Sequence, residues 1–236
     1  VEPPENGDAI NVVIDPSSKR LQVLEPFTPW DRSDFIGADL LVKVEGKCTT
    51  DHISPAGPWL RFRGHLDNLS DNMLTGAVNA YSGKIGVGLD QISGESDIPL
   101  PQIARGYKRS GIQWMVVGDY NYGEGSSREH AALSPRYLGA VAIIVKSFAR
   151  IHETNLKKQG LLAVTFVNPE DYDLVEEQDK ISLLGLNEMV PGKLIKCVLH
   201  HVDGSEDQIE LRHTYNEAQI MWFKAGSALN LLRNAL

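Results

Sequence analysis

The sequence predicts an α/β fold with a central, mostly parallel sheet, flanking helices and an additional β layer. Three observations predict it. Apolar, β-branched runs at residues 114–117, 142–145 and 161–166 read as short buried strands. Helical spacing lies between them, near 127–133 and 149–158, and strand–helix–strand alternation implies parallel pairing. Further on, residues 193–199 and 208–211 flank Asp203-Gly204, a hairpin signature that adds antiparallel structure.

Taken in order, the chain opens with a stretch rich in proline and acid, Glu2-Pro3-Pro4-Glu5 and then Asp15-Pro16-Ser17-Ser18. Short apolar pieces at 11–14 and 21–24 are candidates to pair with each other or to lie on another surface. Residues 1–37 therefore read as an interdomain linker that docks on something, and residues 38–236 as one domain. A strand at 40–44 begins that domain. The helix near 127–133 should stop at Pro135, and the one at 149–158 at Gly160, with Lys157 and Lys158 suiting its C-terminal end. Asn216 with Gln219 resembles a capping box. It would start a final helix that buries Ile220, Phe223, Ala228 and Leu231.

Composition narrows the function classes. With 42% hydrophobic and 23% charged residues, the chain can fill a globular core. No apolar run approaches the roughly 18 residues that cross a bilayer, so no membrane partner is expected. The start at Val1 shows no signal or transit peptide and reads as a cut within a longer chain. Cys48 and Cys197 are far apart without CxxC spacing, which suits two reduced structural thiols rather than a metal or cluster site. The histidines His52, His65 and His130 also lack metal-binding spacing. A formal net charge of −8 argues against nucleic acid. An anion site would have to gather arginines locally.

Chemistry concentrates in two stretches. Gly118-Asp119-Tyr120-Asn121-Tyr122-Gly123-Glu124-Gly125-Ser126-Ser127-Arg128-Glu129-His130 follows a strand and precedes a helix, the usual place for a ligand in an open α/β sheet. Its glycines allow a tight turn, the helix start offers amides to an anion, and Arg128 offers a bidentate fork. Ser126 with Glu129 also fits S-x-x-E, a plain capping box. Spacing alone leaves cap and ligand-binding roles open. The second stretch, Thr49-Thr50-Asp51-His52-Ile53-Ser54-Pro55-Ala56-Gly57, runs on to Phe62-Arg63-Gly64-His65. It has the polar density of a binding loop, or of a turn in which Asp51 or Ser54 caps local amides.

In this order the two stretches, together with residues 146–160 (Lys146-Ser147-Phe148-Ala149-Arg150-Ile151-His152-Glu153-Thr154-Asn155 and onward), resemble the aconitase family, in its mitochondrial branch. The resemblance implies a swivelling β/β/α domain, the fourth of four, preceded by a linker and acting in the mitochondrial matrix. It implies a hydro-lyase that interconverts citrate and isocitrate through cis-aconitate. Ser126 would take the substrate proton, Asp51 would support the site, and Arg63, Ser127 and Arg128 would contact substrate. The family's [4Fe-4S] cluster would be held by three cysteines in the other, N-terminal domains, leaving this chain inactive alone. A small subunit of isopropylmalate or homoaconitate isomerase shares the fold and is the nearest alternative, and a non-catalytic binding module is another. Each unit by which the Ser126 hydroxyl becomes more acidic takes about 1.36 kcal/mol. The expected sources are helix-start amides and nearby guanidinium charge.

Overall fold

The computed structural model describes Glu2, Gly7 and residues 10–235; Pro3, Pro4 and Glu5 of the acidic start lie outside the described residues. The chain forms β1 (Phe35–Lys43), the short helices α1 (Thr50–Ile53) and α2 (Leu66–Leu69), a small ribbon of β2 (Val87–Gly88) and β3 (Ile98–Pro99), and then α3 (Leu100–Ser110). Next come β4 (Trp114–Gly118), α4 (His130–Leu138), β5 (Ala140–Val145), α5 (Arg150–Lys158) and β6 (Leu162–Phe166). The chain ends with β7 (Lys180–Leu184), β8 (Ile195–His200), β9 (Glu206–Arg212), α6 (Glu217–Ala225) and α7 (Ala228–Ala235).

β1, β4, β5 and β6 pair side by side in parallel. Every residue of β4 is buried, and in β5 only Val141 is not, as expected of strands covered on both faces. The predicted β layer continues this sheet. β9 pairs antiparallel with β6, β8 with β9, β7 with β8 and β1 with β7, which closes a barrel of order β1-β4-β5-β6-β9-β8-β7. The hairpin turns at Gly204, at φ +86°, as the Asp203-Gly204 signature implies.

Three local expectations need correction. α4 starts at His130, three residues later than expected, and carries Pro135 inside it. Five buried residues of α4, Ala131, Ala132, Ser134, Pro135 and Leu138, anchor it although proline removes one helical hydrogen bond. The final helix is two helices. The capping box at Asn216 and Gln219 is present, but Gly226 turns the chain at φ +86°, so Ile220 and Phe223 are buried while Ala228 and Leu231 are only half-buried. The apolar pieces at 11–14 and 21–24 form no ladder. Val12 and Val13 are exposed, and the one β-bridge in these pieces joins Leu21 to Gly64.

The segment before β1 nevertheless lies on the domain as a strap. Gln22 donates its amide to Gly64 at 2.8 Å and accepts from the Asp67 amide at 2.9 Å. Asn68 Nδ2 donates to the Lys19 carbonyl at 2.9 Å. Farther along, the Thr28 carbonyl accepts from Arg136 at 2.9 Å, the Phe27 carbonyl accepts from Asn230 at 2.6 Å, and Trp30 packs 5.0 Å from Phe223. Two glycines make room for this contact. A Cβ on Gly226 would stand 2.6 Å from the Thr28 carbonyl oxygen, and one on Gly160 (φ +74°) would stand 2.1 Å from the Gly226 oxygen. Gly160→Ala should therefore destabilise the fold by about 2–4 kcal/mol, combining backbone strain with a steric clash. Chemical denaturation measures it; a wild-type midpoint would contradict the packing described.

Candidate active site

Three loops leave the carboxyl ends of the adjacent parallel strands β1, β4 and β5, and backbone pairing carries on into them. Thr49 bridges Glu124, and Tyr122 bridges Phe148. Thr50 donates its amide to Glu124 at 2.9 Å and Gly123 to Cys48 at 2.7 Å, on one edge of the middle loop. On the other edge Tyr122 donates to Ser147 and Ala149 to Tyr122, both at 2.9 Å. Asp119, the first residue past β4, joins all three loops. It accepts from the Gly46 amide at 3.0 Å and the Tyr120 amide at 2.9 Å, and pairs with Lys146 at 3.1 Å. Partial burial works against the Asp119 carboxylate, but these partners outweigh it and hold its pKa below the usual range.

Ser126 sits on this middle loop, exposed, four residues ahead of α4. It lines a cleft of about 320 Å³ with Thr50, Asn121, Ser127, Arg128 and His152. The S-x-x-E spacing does not make a cap here: α4 is preceded by Glu129 in helical geometry with no side-chain cap. Gly125, at φ +111°, a conformation that other residues adopt only under strain, holds the chain out of the helix. The amides of residues 125–128 donate to no other group among the described residues. Ser126 therefore belongs to a loop whose amides are free to donate, four residues before α4 begins.

Arg128 is fixed. Its Nη1 pairs with Asp51 and also donates to the Ser54 carbonyl at 2.7 Å. Asp51 in turn accepts the Ala56 amide at 3.2 Å. Arg128 first, and then that amide, hold the Asp51 carboxyl below its ordinary pKa. α1 places Asp51 because Thr49 caps it, accepting from His52 N at 3.2 Å, while Thr49 N donates to His52 Nδ1 at 3.3 Å. The cap is therefore Thr49, and Asp51 is left to hold arginine and the Ala56 amide.

Arg63 is not brought into this cleft. It follows the two-turn 3-10 segment Gly57–Phe62 as its C-cap and lines a neighbouring cleft with Arg20, Leu60 and Arg61. Its carbonyl accepts from His130 Nε2 at 3.1 Å, which fastens it to the start of α4. His65 caps α2 by accepting from Asn68 N at 3.2 Å, so His52 and His65 make local capping bonds while His130 ties α4 to Arg63.

Cys48 and Cys197 are both buried and free, and burial pushes each thiol up to about 12. Two separate buried thiols do not make up the ligand set of a cluster. Among the described residues, Glu176, Asp179 and His201 group as metal ligands would, but His201 and Asp179 are already hydrogen-bonded to each other. His201 Nδ1 lies 2.7 Å from Asp179, and Asp179 accepts the Glu176 amide at 2.8 Å.

Sequence reasoning missed His152 and Asn155, which line the Ser126 cleft from α5. His152 is 1% exposed, and neither ring nitrogen has a partner among the described residues. An unpaired buried polar group costs about 1–3 kcal/mol. Gly123 (φ +82°) rests on its ring, and a Cβ there would stand 2.1 Å from Cδ2. The only signal in the sequence was their spacing of three on a helix that follows a site strand.

Residues 38–169 match the family model described as the aconitase C-terminal domain. The "Probable aconitate hydratase, mitochondrial" of Dictyostelium discoideum is 58% identical over 233 residues, 98% of this chain and 30% of that protein. The "Aconitate hydratase, mitochondrial" of Saccharomyces cerevisiae is 52% identical over 231 residues, again 98% of this chain and 30% of that protein. The chain thus spans under a third of the length of these relatives. A solved 3-isopropylmalate dehydratase from Methanocaldococcus jannaschii superposes with a TM-score of 0.58 at 22% identity, covering 86% of this chain and 95% of that one; the likeness is one of fold.

Burial lowers the pKa of His152 to about 4, so the folded chain holds it neutral. Its folded pKa lies below the unfolded 6.5. Between the two values the unfolded chain binds more protons, and stability must fall as pH falls. Acidification from pH 7 to 5 should remove about 2 kcal/mol through this residue, and His152→Leu should abolish that part of the slope. Denaturant melts across that range check it; an identical slope in the variant would contradict the assignment.

Proposed function

The chain belongs to the aconitase C-terminal domain family, and on that premise we propose that it supplies the proton-abstracting half of an aconitate hydratase site. The observation that carries this reading is the shared cleft of Ser126 and Arg128, with Arg128 locked by Asp51 and the Ser54 carbonyl. The substrates of this reading are citrate, isocitrate and cis-aconitate and its setting is the mitochondrial matrix; the relatives' names, aconitate hydratase and mitochondrial, support the hydration of aconitate and the organelle. The remaining domains of the same enzyme are its partner. Residues 38–236, with Phe35 to Gly37 at the start of β1, form the swivelling unit, and the residues before β1 are the linker, of which the strap from Lys19 onward moves with the domain.

Ser126 acts as the base. A serine alkoxide needs strong stabilisation, and the unpaired amides of residues 125–128 with the Arg128 guanidinium are the available source. Because Asp51 neutralises part of that charge, Arg128 serves chiefly as a positioned fork for a substrate carboxylate. Charge builds on the carboxylate as the neighbouring proton leaves, so the same fork stabilises the transition state. Ser127 lies beside it, and Arg63 joins the substrate from the adjoining cleft when the domain closes. The [4Fe-4S] cluster of the whole enzyme lies with cysteines outside this chain, and no step here passes through it.

In the full-length enzyme Ser126→Ala should leave citrate affinity near normal and cut kcat by about 10²–10⁴-fold. Turnover at the wild-type rate would remove Ser126 as base. Arg63→Lys should raise KM by about 10-fold, since a point charge replaces a bidentate fork; steady-state kinetics with an unchanged KM would deny Arg63 its carboxylate.

A further inference from the structure

α5 presents an anomaly to the Ser126 cleft. His152 and Asn155, three residues apart and so on one helical face, both line it, and they are 1% and 4% exposed. Neither nitrogen of His152 nor the amide nitrogen of Asn155 has a partner among the described residues. Buried polar groups are ordinarily paired, and an apolar side chain of the same shape would pack here with greater stability. The Cγ–Cδ2 edge of the imidazole presses on Gly123, and its ring lies 5.6 Å from that of Tyr122. The ring therefore supports the turn that leads, three residues later, to Ser126.

Residues held at the expense of stability beside a reactive group are a recurring mark of sites whose contacts are completed by ligand. We propose that His152 is a positioning residue for Ser126: it sets the Gly123 turn and, with Asn155, gains its hydrogen bonds when the loop settles onto a substrate carboxylate. Packing alone does not explain the choice of histidine, because both nitrogens contribute nothing to the contact with Gly123. The inference rests on the serine-base reading. It adds that a bound carboxylate completes the hydrogen bonds of α5.

His152→Leu in the full-length enzyme keeps the bulk and removes both unpaired nitrogens. The expected result is a Tm raised by about 2–4 °C together with a kcat lowered about 10-fold and a KM changed less than about 2-fold. His152→Gln, which keeps a donor and an acceptor, should recover most of kcat. A Tm and kcat that fall together would reveal a merely structural side chain, and an unchanged kcat would reveal an idle one; either overturns the proposal. Should the leucine variant fail to fold, the wild-type enzyme labelled with 15N-histidine decides. Adding tricarballylate, a tricarboxylate without the hydroxyl, should move the His152 ring-nitrogen signals, and static signals overturn the proposal. A wild-type enzyme without citrate turnover would sink the serine-base reading separately, while the Tm and ring-nitrogen arms would still judge His152.

Discussion

Backbone pairing that outlasts the strands is the constraint on which this site depends. The amides of Thr50, Gly123, Tyr122 and Ala149 join three loops edge to edge after the strands β1, β4 and β5 have ended. Ser126 is consequently exposed without being loose. A nucleophilic or basic hydroxyl needs this combination, because a group that must meet substrate cannot be buried, and one that wanders loses the advantage of orientation. Asp119 reinforces the join from a single side chain, holding an amide from the first loop, an amide of its own loop and the lysine of the third.

Electrostatics follow from that frame. An arginine left free in a cleft would be attracted to any carboxylate in many geometries. Asp51 and the Ser54 carbonyl narrow Arg128 to one, although they also offset some of its charge. The chain therefore favours orientation over field strength at this arginine. Arg63 stands apart, fastened through its carbonyl to α4.

Much of the fold was legible because burial on both faces leaves an unmistakable apolar run: β4, β5 and β6 lie within a residue or two of where the sequence puts them. The parallel order followed from alternation with helices. Barrel closure did not, since nothing in the spacing of β7 to β9 says that β7 returns to β1. Two stretches with the same cap spacing show where local rules stop. Asn216 and Gln219 form their capping box, whereas Ser126 and Glu129 do not, because Gly125 at positive φ and the pull of Asp51 on Arg128 hold that chain in a loop. In the candidate site, Ser126, Ser127 and Arg128 line one cleft and Asp51 meets Arg128, while Arg63 lies in the neighbouring cleft, and only long-range packing showed His152 in the first.

Amide hydrogen exchange at Gly123 in the full-length enzyme tests the central claim most directly. This amide lies in a loop at the edge of an open cleft, yet it donates to Cys48 at 2.7 Å and its turn rests on His152. If pairing beyond the strands fixes the serine loop, its exchange should be slowed nearly as much as that of Val117 in β4. Exchange as fast as that of an unstructured peptide would mean that the loop opens freely, and that the sheet does not hold Ser126 in place.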